Sequence, residues 1–518
     1  MKNRDLQATW AYHNGTKHSY ESIRTNRHYL DWENQPIPFK IYSDLESIPL
    51  PQQLSSSGTT ALEAISSLEA PRKDQVVPSI QTLAEILYLS TGITKRRSYP
   101  GGEILFRAAA CTGALYHIDL YLACGDLPDL AAGVYHFGPH DFALRQLRAG
   151  DYREVLVWAS GREPAIANAP VIIVCASTYW RNAWKYQSRA YRHCYWDTGT
   201  ILANLLAGAA AHHMPARVIL GFVDGPVSQL LGLDTMREGA LTLLALGNAP
   251  LQANEVSPTV EPVSFETAPL SKTEVDYPAI RAMHEASSLE DGAEVLDWRS
   301  QALENPSTLT GSPTPTSRER VIPLQPPGDG TPQDSLEAVI QRRGSTRQFS
   351  RESISFRQLS TMLDRATRGV PSDFVRPEEV PLNDLYLIVH AVEDVAPGAY
   401  VFHRDSRALE LLKEGDFRRQ AGYLGLGQEI PADCSVDVFF LTDLNRVLQR
   451  WGNRGYRAAQ LEASLMGGKL YLAAYAQGLG ASGLTFFDDD VTEFFSPHAA
   501  GKSVMFLLAL GKSAKRRL

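Results

Sequence analysis

The sequence lacks the features that mark secreted, membrane-spanning and nucleic-acid-binding proteins. Its five cysteines show no metal-like or disulfide-like spacing, so free thiols and a cytoplasmic location are expected. The longest apolar run, residues 201–211, is far shorter than the ~20 residues of a transmembrane helix, and residues 1–15 contain no signal-peptide core. With 50 basic and 58 acidic residues, the net charge of −8 excludes a global basic field for nucleic acid or membrane.

Motifs of several common enzyme classes are also missing. The sequence has no G-x-S-x-G elbow, no Walker A loop and no dinucleotide-binding glycine motif, which argues against serine hydrolases, P-loop NTPases and Rossmann dehydrogenases. Its histidines show neither an H-E-x-x-H pattern nor pairing with cysteine, so we predict no metal site. The 518 residues, 44% of them apolar, are enough for two or more folded domains.

The chain contains an internal repeat. A shift of 265 residues aligns residues 119–224 with 384–489 without a gap, and 27 of these 106 positions are identical, against about 7 expected by chance. Upstream, LEAI at 62–65 matches LEAV at 336–339 in a slightly different register. We therefore predict two domains of the same architecture.

Each half of the chain mixes strand-like and helix-like patterns. Short β-rich apolar runs at 171–178 and 436–442 predict buried strands, whereas 201–213 and 469–478 predict a buried central helix. Because strands and helices alternate only loosely, an α+β fold is favoured over a doubly wound one. The expected fold is a mostly antiparallel sheet flanked by helices, present twice.

Changes in composition set the predicted domain boundaries. Residues 1–58 form an N-terminal arm, 59–250 the first domain and 333–518 the second domain. Residues 251–332 between them are rich in proline, serine and threonine, and we interpret them as a linker that contains one short helix.

The sharpest local signal is QRRGSTRQF at 341–349. In an extended segment Arg343, Ser345 and Arg347 lie on one side, where two guanidinium groups and a hydroxyl can hold one anion. A solvated basic turn is the alternative interpretation. The segment is therefore a candidate phosphate site.

The two copies differ at this candidate site. The aligned residues of the first half are Glu69, Pro71 and Lys73, so a carboxylate and a proline replace an arginine and the serine. The second half also ends in a basic segment that includes Lys515 and Arg517, whereas LGNAPLQA follows the last strand of the first half. Only the second half is expected to bind a phosphate.

Taken together, these motifs resemble the FMN-binding nitroreductase fold. The set comprises R-x-S-x-R-x-F, GLGASGLTFFDD at 478–489, the C-terminal K-x-R, and Arg107 followed by ACTGALYHIDLY. The SagB/ThcOx-type dehydrogenase branch is the closer match, with Ala110 and Cys111 in place of its Pro-Ser. The resemblance covers residues ~60–250 and ~335–518. Members of that family are dimers with FMN at the interface, so it implies an intrachain pseudo-dimer.

The resemblance also implies which residues would contact the flavin. The FMN phosphate would be held by Arg343, Ser345, Arg347, Lys515 and Arg517. The flavin ring would lie between one turn formed by Gly483, Leu484, Thr485 and Phe486 and an opposite wall formed by Ala110, Cys111, Thr112 and Gly113.

We predict one FMN per chain. In the second half, Arg368, Pro371 and Ser372 keep the family spacing, but they would face the site that has lost its phosphate residues. NAD(P)H remains open as the reductant, and pairing of two pseudo-dimers into a homodimer is also left open.

Lys185 and Tyr186 are the candidate catalytic residues. Azoline-oxidising members of the resembled family use an adjacent Lys-Tyr pair as acid and base, and a desolvated lysine beside a tyrosine meets that need. A surface lysine beside a packing tyrosine is the alternative. We interpret Asp197 as a charge at the N-terminus of the buried helix.

The expected activity is FMN-dependent oxidation by hydride transfer to flavin N5. By resemblance, the substrate would be a thiazoline or oxazoline in a modified peptide or a related small molecule, with dioxygen reoxidising the flavin. One alternative is an NAD(P)H-dependent nitro or quinone reductase. Another is a flavin-free scaffold or binding partner of a peptide-modifying complex.

Overall fold

Sixteen strands form two large sheets and one hairpin in the part of the chain that the structure describes. The computed structural model describes residues 2–68, 74–99, 102–251, 258–301, 321–328, 330–375 and 381–514. The first strands are β1 Ser47–Pro49, β2 Ile93–Tyr99, β3 Gly102–Arg107, β4 Ile118–Cys124, β5 Gly133–Gly138, β6 Ala143–Ala149, β7 Val171–Thr178, β8 Ala216–Ile219 and β9 Glu238–Leu246. The others are β10 Val321–Pro323, β11 Asp384–Val389, β12 Gly398–His403, β13 Ala408–Glu414, β14 Val436–Thr442, β15 Gly480–Leu484 and β16 Ser503–Gly511.

The two seven-stranded sheets have the same antiparallel topology. The strand order is β1-β6-β5-β4-β7-β9-β8 in the first lobe and β10-β13-β12-β11-β14-β16-β15 in the second lobe. The register is repeated too, since Leu120 pairs with Cys175 in the first sheet and Leu385 with Phe440 in the second. The predicted duplication of an antiparallel α+β fold is confirmed. The hairpin of β2 and β3 belongs to neither sheet.

The helices repeat in the same way around the two sheets. The arm, the first lobe and the linker contain α1 Leu6–Gly15, α2 Tyr20–Thr25, α3 Ala61–Ser66, α4 Ile80–Thr91, α5 Arg153–Ala159, α6 Pro164–Ala167, α7 Tyr179–Tyr186, α8 Ala190–Ala211, α9 Asp224–Leu231, α10 Pro278–Ala286 and α11 Gly292–Ser300. The second lobe contains α12 Leu336–Arg342, α13 Phe356–Ala366, α14 Arg418–Leu424, α15 Glu429–Asp433, α16 Leu444–Trp451, α17 Arg454–Ala476 and α18 Asp488–Phe495. Within the described ranges, none of the helices combines the length and the hydropathy needed to cross a bilayer.

The central helices α8 and α17 pack against each other between the sheets. Small residues permit this approach: a Cβ on Gly199 would overlap Ser464 Oγ, and one on Gly468 would lie 2.6 Å from Ala203 Cβ. Every residue of α8 is buried, as the sequence pattern of small and apolar residues predicted. The two lobes therefore share one continuous core.

Each lobe also binds the central helix of the other lobe through buried ion pairs. An aspartate at the start of α9 or α18 forms buried ion pairs with two arginines in, or just before, the first turn of the opposite central helix. The pairs are Asp224 with Arg454 (2.6 Å) and Arg457 (2.8 Å), and Asp488 with Arg189 (3.0 Å) and Arg192 (2.5 Å). The repeated R-x-Y-R motif is thus a structural feature of the contact between the lobes.

The described part of the linker contains two helices where one short helix was expected. Pro278 begins α10, where its fixed φ angle suits the first helical turn. Asp291 accepts a hydrogen bond from Glu294 N at 2.8 Å and caps the start of α11. This local cap starts a second helix after the intervening segment 287–291.

Candidate active site between the two lobes

A cavity of about 330 Å³ lies between the lobes. Its first-lobe wall consists of Ala110, Cys111, Thr112, Gly113, Lys185, Tyr186, His193, Trp196, Asp197 and Thr200. Its second-lobe wall consists of Ser345, Arg347, Gln428, Tyr471, Gly483, Leu484, Thr485 and Phe506. The cavity thus brings together most of the predicted site residues from both halves.

Two of the predicted residues that the structure describes, Arg343 and Phe486, do not line this cavity. Arg343 donates hydrogen bonds from Nε to Ala108 O and from Nη2 to Arg107 O, both at 2.8 Å. It therefore ties the second lobe to the segment that leads into the first-lobe wall. Phe486 is fully buried behind the wall, 5.8 Å from the Trp196 ring. The predicted Lys515 and Arg517, like Glu69, Pro71 and Lys73 of the other copy, lie outside the described residues.

Asp197 holds the turn at residues 110–113 in place. Its carboxylate accepts hydrogen bonds from Thr112 N (2.9 Å), Thr112 Oγ1 (2.7 Å) and Cys111 Sγ (3.0 Å), and His117 Nε2 lies 2.9 Å away. Because α8 begins at Ala190, Asp197 lies about two turns inside the helix, so the expected interaction with the helix N-terminus is wrong. Asp197 instead fixes one wall of the cavity.

The Cys111 side chain is a structural hydrogen-bonding group. Burial, together with the nearby Asp197 carboxylate, raises the pKa of the Cys111 thiol well above its usual range. The thiol donates to Asp197, and Tyr116 N donates to Cys111 Sγ at 3.1 Å. Cys111 therefore helps to hold the turn at residues 110–113.

Gly113 allows the first-lobe wall to approach Tyr186. Its φ of 64° lies in the left-handed region, and a Cβ at this position would be only 2.9 Å from Tyr186 Oη. A larger residue would therefore displace the tyrosine from the cavity.

Lys185 and Tyr186 end helix α7 at the cavity, half-buried, with Lys185 Nζ 5.4 Å from the Tyr186 ring centre. Burial, and then the charge of Arg347, lowers the pKa of Lys185. Burial, and then the charge of Asp197, raises the pKa of Tyr186. Neither Lys185 nor Arg347 forms an ion pair with another described residue, although their side chains, from different lobes, line the same cavity.

The second-lobe wall offers further hydrogen-bonding groups. Gly483 N donates to Tyr471 Oη at 2.5 Å, and the Tyr471 hydroxyl lies 3.3 Å from Ser345 Oγ. Thr485 Oγ1 is buried and has no hydrogen-bond partner in the described part of the chain. A buried hydroxyl of this kind is costly unless a ligand or water pairs with it.

The sequence analysis missed His193 and Tyr471 as cavity residues. His193, Trp196, Asp197 and Thr200 lie at i, i+3, i+4 and i+7 on α8, which places them on one face of the helix. This helical spacing of polar residues in an otherwise apolar helix could have predicted that α8 forms part of the first-lobe wall of the cavity. For Tyr471 the sequence gives no such signal, because the aligned residue is Leu206 in an equally apolar helix.

At the equivalent place on the other side of the molecule, described segments of the two lobes are hydrogen-bonded to each other. Val218, the repeat counterpart of Gly483, donates from N to Pro371 O at 2.8 Å and accepts from Asp373 N at 3.1 Å. Arg368, predicted to face this site, instead pairs with Asp364 at 2.8 Å. Backbone hydrogen bonds thus fill the position that is open beside Gly483.

One group of residues away from the cavity has metal-ligand chemistry. His390, Cys434 and Asp437 are buried in the second lobe with their ligand atoms within 4.8 Å of one another. His390 Nε2 lies 2.9 Å from Asp437 Oδ2, and Cys434 Sγ donates to Pro431 O at 3.3 Å.

Comparison with known proteins identifies the second lobe. Residues 340–512 match the Nitroreductase family model. The crystal structure of a protein provisionally named a nitroreductase, from Anabaena variabilis ATCC 29413, is 26% identical and covers 98% of this chain and 99% of its own, with a TM-score of 0.76. Residues 340–512 therefore form a nitroreductase-family domain, and the whole two-lobed fold is shared with the Anabaena protein.

Two further proteins resemble part of the chain. A provisional nitroreductase of Methanocaldococcus jannaschii is 22% identical over 169 residues, which cover 33% of this chain and 80% of that protein. A solved structure of another such protein, from Ralstonia eutropha JMP134, is 20% identical and covers 42% of this chain and 100% of its own, with a TM-score of 0.32.

Proposed function

We propose that this chain is an FMN-dependent oxidoreductase with one flavin in the cavity between its lobes. One observation carries the proposal: the anion-binding candidates of the second lobe and the acid-base candidates of the first lobe line the same cavity. Ser345 and Arg347 lie about 160 residues from Lys185 and Tyr186 in the sequence, and no single motif joins the two pairs. The chain would then be an internal pseudo-dimer, in which each lobe contributes one wall.

The chemistry of the cavity suits a flavin mononucleotide. Arg347 offers an uncompensated positive charge and Ser345 a hydroxyl, the donor set that a phosphate needs. Thr485 Oγ1 is a buried hydroxyl without a partner among described residues, and Gly113 and Gly483 leave room where side chains would otherwise stand. FMN, when bound, supplies a reversible hydride acceptor.

Lys185 and Tyr186 would manage the proton that accompanies hydride transfer. When an azoline ring is oxidised to the azole, one ring C–H hydrogen leaves with its electron pair as hydride, the adjacent ring carbon loses a proton, and a C=C bond forms between the two carbons. Because burial and Arg347 favour the neutral amine of Lys185, its Nζ can accept that proton near neutral pH more readily than an exposed lysine can. Tyr186 keeps its proton and can donate a hydrogen bond.

The substrate class rests on the resemblance to SagB/ThcOx-type dehydrogenases. It suggests a thiazoline or oxazoline in a modified peptide, oxidised to the azole. The second candidate, reduction of nitroarenes or quinones by NAD(P)H, draws on the provisional naming of the Anabaena relative. NAD(P)H consumption with a nitroarene would support the second candidate, whereas azoline oxidation without it would support the first.

The closed counterpart site supports a single flavin per chain. We expect the purified protein to be yellow, with a flavin-to-chain ratio near one. We also expect Arg347→Gln to lower FMN affinity about tenfold or more, because a charge-assisted hydrogen bond contributes ~1.5–3 kcal/mol. Arg351→Gln is the matched control, since Arg351 lies on the same segment but pairs with Asp433 at the surface. Protein that stays colourless with added FMN, or a ratio near two, would contradict the proposal.

A further inference from the structure

Four residues of α8 line the cavity. In three of them, the polar side-chain atoms already have hydrogen-bond partners. Asp197 binds the turn at residues 110–113, and Thr200 Oγ1 donates to Ala110 O at 2.7 Å. Trp196 Nε1 donates to Gln460 Oε1 at 2.6 Å. The fourth residue, His193, is only 1% exposed, and its Nε2 is buried without a partner in the described structure.

The hydrogen bond at the other ring nitrogen defines what Nε2 can do. His193 Nδ1 lies 2.8 Å from Asn182 Oδ1, which accepts hydrogen bonds only, so the proton of the neutral ring is on Nδ1. Nε2 is then an acceptor. Burial, reinforced by the positive charge of Arg189, lowers the pKa of His193 well below its usual range, so the ring remains neutral.

The position of His193 connects this acceptor with the proposed chemistry. Its ring packs edge to face against Tyr186, with the ring centres 4.5 Å apart. The repeat places Ala458 at the counterpart position, on the side of the molecule where the site is closed. The acceptor is therefore not repeated at the counterpart position.

We infer that His193 is a specificity-determining residue that accepts a hydrogen bond from an N–H or O–H group of the substrate. A buried acceptor without a partner is unfavourable, so the site favours ligands that donate there and discriminates against ligands that do not. This inference rests on the proposed function. The substrate is the donor because His193 lies on the first-lobe wall beside Tyr186, whereas the phosphate-binding candidates lie on the second-lobe wall.

The test compares probes that differ in one donor. FMN-loaded protein is titrated by calorimetry with the three hydroxybenzoate isomers and the matching fluorobenzoates. At least one hydroxy isomer should bind about five- to tenfold more tightly than its fluoro analogue. His193→Phe should abolish that preference, and His193→Gln, which keeps an acceptor, should restore most of it. His140→Phe, outside the cavity lining, should leave the preference unchanged.

Nitrogen NMR of the labelled histidine ring provides a second measurement on the unaltered protein. The Nε2 resonance of His193 should move on addition of the preferred hydroxybenzoate and stay in place with its fluoro analogue. Equal affinities for all matched pairs, or a loss of FMN affinity alone in His193→Phe, would overturn the inference. Failure to take up FMN would contradict the proposed function instead, and the same titrations on the flavin-free chain would still report on His193.

Discussion

At the scale of residues, hydrogen-bond partners separate structural groups from groups available to a ligand. Asp197, Cys111 and Thr112 are chemically reactive types, yet each is engaged in holding the same turn. Lys185 and Arg347 have no ion-pair partner among the described residues and face one cavity. Residue type alone would therefore have favoured Asp197, Cys111 and Thr112 as reactive groups of the first-lobe wall, although they hold the turn.

Lys185 provides the test of acid-base chemistry at this scale. Lys185→Gln should retain FMN but lower turnover by about 10²-fold or more, the usual contribution of a general acid or base. Because the pKa of Lys185 is lowered, azoline oxidation, which needs the free amine, should rise with pH through that pKa, and the variant should lack this rise. Nitro reduction, which needs the ammonium as donor, should fall with pH instead.

The pH dependence is measured with a thiazoline-containing peptide, or with a nitroarene and NADPH if that activity is found. Lys95→Gln, on the exposed strand β2, is the control and should behave as wild type. A Lys185→Gln enzyme with wild-type rates across the pH range would reduce Lys185 to a surface residue beside Tyr186.

At the scale of elements, the repeat made the strands and central helices predictable, but not the contacts that close one site. The antiparallel sheets follow from apolar runs such as residues 171–178 and 436–442. Each run can be recognised as a strand from a few neighbouring residues, without knowledge of its partner strand. The pairing of Val218 with Pro371 joins segments ~150 residues apart, and nothing local to either segment signals it. Likewise, the expected charge at a helix start failed for Asp197 because sequence pattern locates helix ends poorly.

Gly113 tests how the turn and helix α7 fit together. Gly113→Ala should lower turnover markedly, because the new Cβ would lie 2.9 Å from Tyr186 Oη and displace that side chain. Gly58→Ala is the matched control: its φ of 75° carries similar strain, roughly 1–2 kcal/mol, but no atom lies within 4 Å of the added methyl group. Both variants should lose similar thermal stability, and only Gly113→Ala should change the flavin spectrum and turnover. Equal turnover of the two variants would contradict this account.

At the scale of the whole molecule, two copies of one fold have diverged into an open and a closed side. The sequence comparison indicated the divergence at Glu69 and Pro71, which lie outside the described residues. The structure adds a separate cause, since the backbone of residues 371–373 occupies the closed side. The buried Arg–Asp contacts, by contrast, are preserved on both sides, because both lobes need them to hold the opposite central helix.

The buried Arg–Asp ion pairs predict that the contact between the two lobes is weakened at low pH. Burial alone would raise the pKa of Asp224, but the guanidinium groups of Arg454 and Arg457 hold it at about 2. A carboxyl whose pKa is lowered on folding stabilises the protein fully above its ordinary value of 3.8 and loses that contribution as the pH falls toward 2. Asp224→Asn should therefore lower the free energy of unfolding at pH 7 by about 3–5 kcal/mol, since two buried arginines lose their partner.

Urea unfolding at pH 7 and pH 3 measures this contribution. The difference between wild type and Asp224→Asn should be largest at pH 7 and should shrink at pH 3, where protonation begins to remove the same charge from the wild-type protein. Glu285→Gln removes an ion pair with Lys2 at the exposed surface, so it should change the unfolding free energy by less than about 1 kcal/mol. An Asp224→Asn protein as stable as Glu285→Gln at pH 7 would mean that packing of α8 against α17, rather than the buried charges, holds the lobes together.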